Sequence, residues 1–531
     1  MIFKEIKYDK LNSFSKLLTD YSLNKSHFSD LITNYPSVGN FKNQISLKSK
    51  NYNNRFRKVL VNEIKNQYLG IELTPKQNLN IEKILDTNTF TVTTGHQLNL
   101  LTGPLYSIYK IISVINLTEV LEKNYSNNSF VPLYWMASED HDFEEINNFY
   151  FEGKKFIWNS NQSGAVGNFK LNSTEKLFKE FEEYITKSKH GLEIYSIFKN
   201  CFLKSDNLSQ ATRRFVNKIF SRFGLIIIDA NNKNFKSLFS KFLKKELSDK
   251  LIYKHSVESL DKLEKLNYRI QASPRKINLF YMKDELRERI YSKDGDFYVK
   301  NSSIKWNLSE IKNEIDKFPE RFSPNVLFRP LYQEYILPNI CYVGGPAELA
   351  YWLELKSVFE HEKLTFPVIL NRNSAMLIDK KTLKKLKKLD ISLEELFLSE
   401  DLLEGLIVRR YSKLKLDFNK LKLKLKEQFS ELKSIAKNTD KSFIGALNAQ
   451  QKKQINGLKM LEKRLNKAEK RIHRDKINKA LEIKKSLFPN GNLQERVINF
   501  SQFYKAEGSE LIEKIKNNLD PLNQKFTIIE I

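Results

Sequence analysis

Four consecutive ionisable residues follow the apolar run FVPLYWMAS. Such a run predicts a buried strand, and the carboxyl ends of strands are where open α/β folds bind ligands. We interpret three of these residues, Asp140, His141 and Asp142, as candidate catalytic groups. Ser138 and Glu139 are candidate binding groups beside them. Glu139 to Asp142 are called the acidic cluster below.

The acidic cluster could coordinate Mg²⁺, orient a ribose or supply a general base for an attacking amine. Each role needs a carboxylate or imidazole held at a strand end, and only one or two adjacent side chains can face one cleft. The alternative is a helix N-terminus, where Ser138 or Asp140 caps the helix and the acids complement its dipole. The sequence favours catalysis or substrate binding over metal ligation, so we assign no metal ligand.

A second candidate loop ends the β-branched run NTFTVTTGHQ at 88–97. Gly95 permits close backbone approach, and a helix starting near Pro104 would direct N–H groups at an anion. His96 could hydrogen-bond a phosphate or leaving group, or it is a surface or core histidine. The predicted members of this loop are the catalytic candidate His96 and the binding residues Thr94, Gly95, Gln97, Asn99, Thr102 and Gly103.

A third candidate region, YVGGPAELAYW, combines two glycines with an acid and aromatic residues one helical turn later. Tyr351 and Trp352 suit a ligand wall and equally suit packing on an amphipathic helix. Arg329 and Arg372 are cations at element ends that could bind phosphate or carboxylate, although a lone arginine is usually solvated. The binding residues predicted here are Arg329, Gly344, Gly345, Pro346, Glu348, Trp352 and Arg372.

The elements that must position these groups indicate an α/β fold. Strands are predicted at 88–97, 130–137, 223–229 and 366–370, and an apolar helix after Pro104 gives a parallel crossover. The segment 149–158 predicts a hairpin, and residues 160–215 and 232–320 are charged and mostly helical in period. We predict a helical lead-in (1–88), a first core part (89–148), a connecting insertion (149–222), a core strand (223–231), a second insertion (232–322), a second core part (323–384), a coiled-coil hairpin (385–487) and a helical tail packing on the core (488–531).

The late segment carries a heptad pattern. Apolar residues alternate at spacings of four and three, which predicts two long helices joined by a short turn at Asn438-Thr439-Asp440. The hairpin either mediates dimerisation or packs within its own chain. The predicted seams are Leu414, Phe418, Leu421, Leu425, Gln428, Leu432 and Ile435 in the first helix, and Leu458, Leu461, Leu465, Ala468 and Ile472 in the second.

Composition narrows the class of protein. A chain of 531 residues is too long to fold around a single hydrophobic core, so more than one structural unit is expected. The hydrophobic content of 41% excludes a wholly disordered chain. No run is long enough for a membrane span, no export signal precedes residue 20, and Cys201 and Cys341 alone give neither a disulfide framework nor a zinc site. We therefore expect a cytoplasmic protein without zinc. The net charge of +26 is spread widely, which makes nucleic-acid binding the less favoured interpretation.

Four blocks together resemble the cysteine-adding enzymes of bacillithiol biosynthesis, the BshC family of cysteine ligases. The blocks are TTGHQLNLLTGPLYSIYK, VPLYWMASEDHDFEEIN, YVGGPAELAYWLELKSVFE and NLQERVINF, and they span nearly the whole chain in order. The resemblance implies a Rossmann-like core with connecting insertions, similar in architecture to class I synthetases, and a C-terminal antiparallel coiled coil that dimerises. It also implies the substrates L-cysteine and glucosaminyl malate, joined by an amide bond.

The expected reaction activates the cysteine carboxylate with ATP or another nucleotide, with Mg²⁺ as a possible companion. The 93–104 loop would hold the phosphates, with His96 or Gln97 donating to the developing charge. Asp140 or Asp142 would bind or deprotonate an amine, and the second substrate would meet Glu348 or Arg372. The rival interpretations are a basic coiled-coil scaffold or nucleic-acid-binding protein on a degenerate synthetase core, and a nucleotidyltransferase.

Overall fold

The computed structural model describes residues 2–412, 418–436 and 441–531. The chain divides into two compact units. The first comprises Met1–Ile378 together with Asn492–Ile531, and the second comprises Asp379–Gly491.

The strands and helices are defined here in chain order. The strands are β1 (Ile2–Lys7), β2 (Thr89–His96), β3 (Ser129–Met136), β4 (Asn148–Phe151), β5 (Lys154–Ile157), β6 (Ile226–Asp229), β7 (Leu279–Lys283), β8 (Leu286–Lys293), β9 (Asp296–Val299), β10 (Lys305–Trp306), β11 (Phe322–Pro324), β12 (Asn339–Gly344), β13 (Val368–Asn371), β14 (Ser374–Ile378) and β15 (Lys525–Glu530). The helices are α1 (Lys16–Ser22), α2 (Phe41–Asn51), α3 (Phe56–Gln67), α4 (Pro75–Lys83), α5 (Tyr106–Asn124), α6 (Phe143–Ile146), α7 (Glu175–Ile185), α8 (Lys189–Leu203), α9 (Leu208–Phe220), α10 (Lys233–Asp249), α11 (Leu251–His255), α12 (Val257–Lys265), α13 (Leu308–Lys317), α14 (Arg329–Ile336), α15 (Pro346–Leu353), α16 (Lys356–His361), α17 (Lys380–Lys388), α18 (Glu400–Tyr411), α19 (Phe418–Ala436), α20 (Lys441–Ile472), α21 (Arg474–Leu487), α22 (Ser501–Glu507) and α23 (Glu510–Asn518). Across the described residues, no helix is both long enough and apolar enough to cross a bilayer.

A sheet of five parallel strands, in the order β13-β12-β2-β3-β6, forms the centre of the first unit. Its strands are near-continuous apolar runs because both faces of a parallel sheet are covered. The residues of β3 are buried from Phe130 to Met136, and α5 is buried around most of its circumference. The predicted α/β class and the predicted strands of this sheet are confirmed.

The order of the strands fixes where a ligand can enter. Within the strand order, β3 lies next to β2 in one direction, and β12 followed by β13 lies next to β2 in the other. The direction of winding therefore reverses between β2 and β12. In open parallel sheets, the crevice outside the carboxyl ends of the strands at such a point is the usual ligand site.

The lead-in and the tail contain helices, and each also contributes one strand that was not predicted. Strand β1 pairs antiparallel with β15, and β15 pairs parallel with β14. Short strands that carry lysine and glutamate, such as IFKEIK, lack the apolar run that marks a buried strand. The tail completes a three-stranded sheet in the first unit.

The second insertion contains the predicted helices, α10 to α13, and in addition strands that were not predicted. It contains an antiparallel sheet in the order β10-β9-β8-β7-β11. Strand β8, LRERIYSK, has a charged solvent face that obscures the alternation of its sequence. Asp294 and Gly295 form the turn between β8 and β9, with φ of 52° and 89°. An Asp-Gly pair is typical of a β-hairpin turn, and the sequence prediction did not use it. The predicted hairpin at 149–158 is confirmed by the pairing of β4 with β5.

The second unit contains the coiled coil. Lys422 pairs with Glu462, and the Lys433 ammonium donates to Gln451 Oε1 over 2.8 Å. Residue numbers rise along α19 as they fall along α20, so the two helices are antiparallel, as predicted. Phe429 and other buried apolar residues lie between them.

The predicted leucine seam is only partly correct. Leu421, Leu432 and Ile435 are 38%, 47% and 67% exposed, and Leu461 and Ile472 are 56% and 71% exposed. In α19 the buried positions are instead one residue further along, as in the pairs 428/429 and 435/436. A helix of 3.6 residues per turn can carry two adjacent apolar stripes, and spacing alone does not say which one faces inward. Leu414 and the predicted turn Asn438-Thr439-Asp440 lie outside the described residues.

Candidate active site

An open cavity of about 1240 Å³ lies at the carboxyl ends of the parallel strands. Gly95 at the end of β2, Ala137 after β3 and Gly345 after β12 all line it. The cavity therefore occupies the crevice where the winding direction reverses. A single small-molecule site usually measures roughly 300–1,000 Å³, so this cavity has room for more than one ligand.

Gly95 brings the main chain of β2 directly to the cavity. A Cβ atom at this position would lie 3.0 Å from the Tyr342 hydroxyl and 3.7 Å from Arg329 Nη1. A contact of 3.0 Å forces a neighbouring atom to move. Glycine is therefore required for the close approach of β2, Tyr342 and Arg329.

Lys110 on α5 is the buried cation of the site. Its ammonium pairs with Glu348 and donates to the Gly95 carbonyl over 2.8 Å. Glu348 also accepts from the Tyr342 hydroxyl at 2.6 Å and from the Gly345 N–H at 2.8 Å. Burial raises the pKa of Glu348, but the charge of Lys110 and these hydrogen bonds outweigh it and leave that pKa below its ordinary value. An ionised carboxylate therefore sits between β2 and β12.

Two arginines flank this carboxylate. Arg329 donates to the Tyr351 hydroxyl over 3.1 Å. Arg372 donates to Glu495 Oε1 over 2.8 Å and lies 5.0 Å from the centre of the Tyr106 ring. The Arg372 Nε has no hydrogen-bond partner among the described residues, although the side chain is almost fully buried. Arg372 therefore keeps one donor for a ligand, and Glu495 shows that the C-terminal segment completes the site.

His96 is held as a neutral imidazole. Burial, assisted by the charge of Lys110, lowers the pKa of His96 to about 3. Its Nε2 lies 2.8 Å from the Ser107 hydroxyl oxygen, and that hydroxyl donates to the Pro104 carbonyl over 3.0 Å. Because the hydroxyl has one proton, His96 Nε2–H is the donor to Ser107 and Nδ1 carries the lone pair. His96 cannot exchange a proton near neutral pH as a general acid would.

Asp140, in the acidic cluster, lines the cavity, and hydrogen bonds to both of its carboxylate oxygens fix its position. Its Oδ2 accepts from Gln97 Nε2 over 2.8 Å, and its Oδ1 accepts from the His141 N–H over 2.8 Å. Burial alone would raise the pKa of Asp140, but the hydrogen bonds from His141 and Gln97 and the charge of Arg287 hold it well below the usual range. Asp140 is thus a permanent negative charge and a weak base.

The two other cavity-lining members of the cluster bind the second insertion. Glu139 pairs with Lys236 and accepts from the Ser323 hydroxyl over 3.0 Å. His141 Nδ1 accepts from Arg287 Nη1 over 2.5 Å. The cluster therefore joins the end of β3 to α10, β8 and β11, and positions Asp140 between them.

Eight of the predicted site residues do not line the cavity. They are Thr94, Asn99, Thr102, Gly103, Ser138, Asp142, Gly344 and Trp352.

Each of these eight has a structural partner instead. Thr94 donates to the Val343 carbonyl within the sheet, and the Gly344 carbonyl accepts from the Arg372 N–H. Ser138 donates to Asp229. Asp142 caps α6, whereas the alternative interpretation of the cluster had named Ser138 or Asp140 as the cap, and Trp352 is fully buried against Tyr342, Phe359 and Phe366.

The loop after Gln97 turns away from the cavity. The Asn99 side chain donates to the Glu145 carbonyl over 3.3 Å. Thr102 and Gly103 both have positive φ, 65° and 67°, and Asn499 donates to the Gly103 carbonyl over 2.6 Å. Of the predicted 93–104 loop, residues 95–97 line the cavity.

Sequence reasoning missed several basic residues of the site. Lys110 is the single charge within the apolar stretch YSIYKIISVINL, and a lone buried charge in such a helix is a readable signal. Arg287 gave no signal, because its strand was interpreted as part of a helical insertion. The basic residues that line the cavity outnumber the acidic ones by nine to three. They are Lys16, Lys110, Arg269, Arg275, Arg287, Arg289, Arg329, Arg372 and Arg496.

The described residues contain no group of three or more His, Cys, Asp or Glu side chains arranged to hold a metal ion. The acidic cluster is instead tied to basic and amide side chains. An excess of cationic groups around a fixed carboxylate suits an anionic substrate with an ammonium group.

Comparison with known proteins identifies the family. Residues 1–373 match the family described as "Bacillithiol biosynthesis BshC, N-terminal Rossmann-like domain". Residues 375–531 match "Bacillithiol biosynthesis BshC, C-terminal coiled-coil domain". A solved structure titled as an arginyl-tRNA synthetase from Campylobacter jejuni aligns over 84% of this chain and 97% of its own, with 10% identity and a TM-score of 0.23, too low to support any inference.

Curated relatives carry the same name over the full length. Proteins from Flavobacterium psychrophilum and Christiangramia forsetii, each named "Putative cysteine ligase BshC", are both 47% identical over 99% of this chain and cover 99% and 98% of their own length. A Bacillus cytotoxicus protein of that name is 27% identical over 90% of this chain and 91% of its own. The resemblance expected from the four sequence blocks is thereby confirmed, and the chain belongs to the BshC family of bacillithiol biosynthesis.

Proposed function

We propose that this protein is a cysteine ligase that forms an amide bond between the carboxyl group of L-cysteine and the amino group of glucosaminyl malate. The observation that carries the proposal is the basic cavity around the fixed carboxylate of Asp140. Both substrates carry carboxylate and ammonium groups at neutral pH, which match this arrangement of charges. The names of the curated relatives support the same reaction.

The proposed chemistry has two steps. A cysteine carboxylate oxygen first attacks phosphorus of ATP or another nucleotide, which gives an acyl phosphate or an acyl adenylate and releases the nucleoside diphosphate or pyrophosphate. The sugar ammonium group then loses a proton to solvent and the free amine attacks the acyl carbon; the carbon–oxygen bond breaks, phosphate or nucleoside monophosphate leaves, and the second proton of the nitrogen also passes to solvent. Mg²⁺ would enter with the nucleotide phosphates.

Phosphates would bind near the ends of β2 and β12. Gly95 presents main chain there, and Arg329 and Arg372 supply guanidinium groups around the Lys110–Glu348 pair. Arg372 has its free Nε donor available. Such preorganised donors stabilise the negative charge that develops on the phosphoryl group in the transition state.

Asp140 would bind an ammonium group, of cysteine or of the sugar. A general base works best when its pKa lies near the working pH, and the lowered pKa of Asp140 makes it a poor proton acceptor. A fixed charge is well suited to orienting an amine. His96, which is neutral, would serve as a hydrogen-bonding group and would not carry protons.

A reconstituted reaction tests the proposal. The purified protein is incubated with ATP, L-cysteine and glucosaminyl malate, and the thiol product and the released phosphate or pyrophosphate are quantified. We expect one product per nucleotide consumed; pyrophosphate would identify an adenylate, and phosphate an acyl phosphate. Serine in place of cysteine serves as the control. Absence of product with every nucleoside triphosphate would rule out the ligase.

Substitution of Gly95 is expected to reduce product formation. In Gly95→Ala the new Cβ pushes on the Tyr342 hydroxyl at 3.0 Å, and in Gly95→Val two more methyl groups add to the strain. Overpacking of this kind costs about 1–3 kcal/mol, and we expect kcat/KM to fall roughly tenfold or more in the valine variant. Gly39→Ala, where no atom lies within 4 Å of the Cβ position, is the matched control. Equal activity of Gly95→Val and wild type would contradict the proposed approach of ligand to β2.

We also propose that the protein is a homodimer through the coiled coil. The exposed apolar stripes of α19 and α20 include Leu432, Ile435, Met460 and Leu461, which are 47–67% exposed. Several large apolar side chains exposed on one helix pair favour contact with a second copy of the chain. We also propose that the protein acts in the cytoplasm, as expected from the sequence.

Charged substitutions in this stripe should produce a monomer. In Met460→Lys/Leu461→Glu we expect the mass from light scattering to halve, because buried unpaired charges disfavour association. The fold should persist, since both side chains already face solvent within the chain. Gln454→Glu/Asn456→Lys, which likewise introduces one acid and one base but at exposed polar positions of the same helix, is the control. An unchanged mass in the first variant would refute this interface.

A further inference from the structure

One wall of the cavity is an irregular segment between α12 and β7. Residues 268–278 contain no helix or strand and are called the arginine strap here. Arg269 and Arg275 of the strap are exposed and line the cavity. Neither guanidinium forms an ion pair or a hydrogen bond with a described residue. The strap therefore presents two unneutralised cations to whatever occupies the cavity.

The first half of the strap is anchored by Glu354, directly after α15. This carboxylate is 1% exposed. Its Oε1 accepts from the Gln271 N–H over 2.5 Å, and both oxygens lie 3.3 Å from the Ala272 nitrogen. Glu354 thus holds the main chain of the strap at Gln271 and Ala272, directly after the Arg269 region. It fixes the path of the main chain and does not contact the Arg269 side chain.

The second half is anchored by Glu246 of α10, which is fully buried. Its Oε1 accepts from the Asn278 N–H and from Asn278 Nδ2, each over 2.8 Å. Asn278 in turn donates to the Arg275 carbonyl over 2.7 Å, and its Oδ1 accepts from the Arg275 N–H over 3.1 Å. The peptide groups on both sides of Arg275 are thus held through Asn278 by Glu246.

Both anchors are unusual in being buried carboxylates that form no ion pair with a described residue. Burial raises the pKa of Glu246 and of Glu354 to about 7. A buried carboxylate without a cation is costly for the fold. Two such groups, one on α10 and one at the end of α15, converge on one eleven-residue segment whose two arginines line the cavity.

We propose that the arginine strap is a binding subsite for the malyl dicarboxylate of the sugar substrate, with Arg269 and Arg275 as the contacting residues and Glu246 and Glu354 as its positioning residues. This rests on the proposed ligase function. The guanidinium group matches carboxylate geometry with two parallel donors. Two arginines therefore match two carboxylates.

The strap is separate from the strand-end groups assigned to the nucleotide. Glu354 lies six residues beyond Glu348, which is about 9 Å along a helix at ~1.5 Å per residue. The cavity volume leaves room for both ligands. The acceptor sugar would thus bind with its malyl group on the strap and its amine directed towards Asp140.

Steady-state kinetics of the full-length protein test the arginines. In Arg269→Ala and Arg275→Ala we expect the KM for glucosaminyl malate to rise about tenfold or more, since each loses a charge-assisted hydrogen bond. The KM for ATP and for cysteine should stay within about twofold. Arg55→Ala, an exposed arginine outside the cavity, is the control. A rise in the KM for ATP, or no rise in any KM, would overturn the proposal.

Binding of free L-malate tests the subsite without catalysis. Calorimetry should detect malate binding to wild type that is lost in Arg269→Ala/Arg275→Ala, with lactate, which has one carboxylate, as the weaker comparison. If wild type forms no product but binds malate in this manner, the ligase proposal fails and the subsite stands. If wild type is active but the double variant binds malate as well as wild type, the subsite fails alone.

The positioning residues should act on KM and not on kcat. In Glu354→Gln and Glu246→Gln one acceptor oxygen becomes an NH₂ group facing an N–H of the strap, so the arginines are held less firmly. We expect the KM for glucosaminyl malate to rise about three- to tenfold with kcat within about twofold, and malate affinity to fall in parallel. A loss of kcat with unchanged KM in both variants would overturn the positioning role, and the arginine variants test the subsite even if Glu246→Gln fails to fold.

Discussion

Asp140→Ala should lower kcat/KM for product formation by roughly a hundredfold or more. The carboxylate is held by Gln97 and by the His141 N–H, with its pKa well below the usual range, so its charge is present throughout the neutral range. Removing it deletes the one fixed negative charge that the end of β3 presents to an incoming ammonium group. The substrate whose KM rises identifies the amine that Asp140 binds.

Asp140→Asn separates charge from shape. The amide keeps an oxygen that can accept from the His141 N–H, yet it has no charge for an ammonium group. We expect a loss of activity close to that of the alanine variant, with the midpoint of thermal unfolding within a few degrees of wild type. Because the carboxylate stays ionised, lowering the pH from about 8 to about 6 should not by itself protonate Asp140.

The neighbouring acid provides the control. Asp142 caps α6 outside the cavity, and asparagine caps a helix about as well as aspartate does. Asp142→Asn should therefore keep activity within about threefold of wild type. If Asp142→Asn were as inactive as Asp140→Ala, the acidic cluster would act through the structure of the loop and not through the charge of Asp140.

The sequence predicted the central sheet because parallel strands are apolar on both faces. The run ending in Met136 and the run Ile226–Ile228 have no polar alternation, and no helix face would bury them as completely. Strands with one solvated face were harder to predict. In β8, Arg287 is buried while its sequence neighbours Leu286 and Glu288 are half-buried. The many charged residues of this strand led to the prediction of a solvent-exposed helix.

The candidate site was predictable where a residue's chemistry is tied to a strand end. Gly95 is the penultimate residue of β2, Asp140 and Glu348 lie four residues after the ends of β3 and β12, and the structure brings all three to one cavity. Thr102 and Trp352 follow the same strands at greater distance, where the turn of the chain decides orientation. Spacing cannot predict that decision, because it depends on partners such as Asn499 that lie hundreds of residues away.

The arginine strap shows the same limit in another form. Arg269 and Arg275 lie in a stretch without periodicity or glycine loops, and nothing local marks them as different from other surface arginines. The path of their main chain depends on Glu246 in α10 and on Glu354 at the end of α15, which lie far from the strap in the sequence. Long-range anchoring of main chain by buried carboxylates leaves no signal in a single sequence.

The Lys110–Glu348 pair carries the second large expected effect. Lys110→Met keeps the length of the side chain but leaves Glu348 without its cation, and breaking a buried pair typically costs 3–5 kcal/mol. The Lys110 side chain is 4% exposed and that of Glu348 is 20% exposed. We therefore expect a loss of about 2–4 kcal/mol in the free energy of unfolding, slightly below that range, as measured by denaturant titration.

The double variant Lys110→Met/Glu348→Gln should recover at least half of this loss. Glutamine retains an oxygen that can accept from the Tyr342 hydroxyl or the Gly345 N–H, and both charges of the Lys110–Glu348 pair are gone. Product formation should stay low in the single and double variants alike, because neither restores the paired charges beneath the proposed phosphate position. Recovery of activity together with stability would show that the pair serves the fold alone.

A second buried pair tests whether such a loss of stability is enough to abolish activity. Lys48 pairs with Glu334 near the amino end of β12, and Glu334 also accepts from Asn339, the first residue of that strand. The cavity lies at the opposite, carboxyl ends of the strands. Lys48→Met should destabilise the protein by about 3–5 kcal/mol, as for other buried pairs. Since that pair lies away from the cavity, the activity per folded molecule should remain near wild type. If Lys48→Met lost activity to the same extent as Lys110→Met, the effect at Lys110 would reflect global instability and not the chemistry of the cavity.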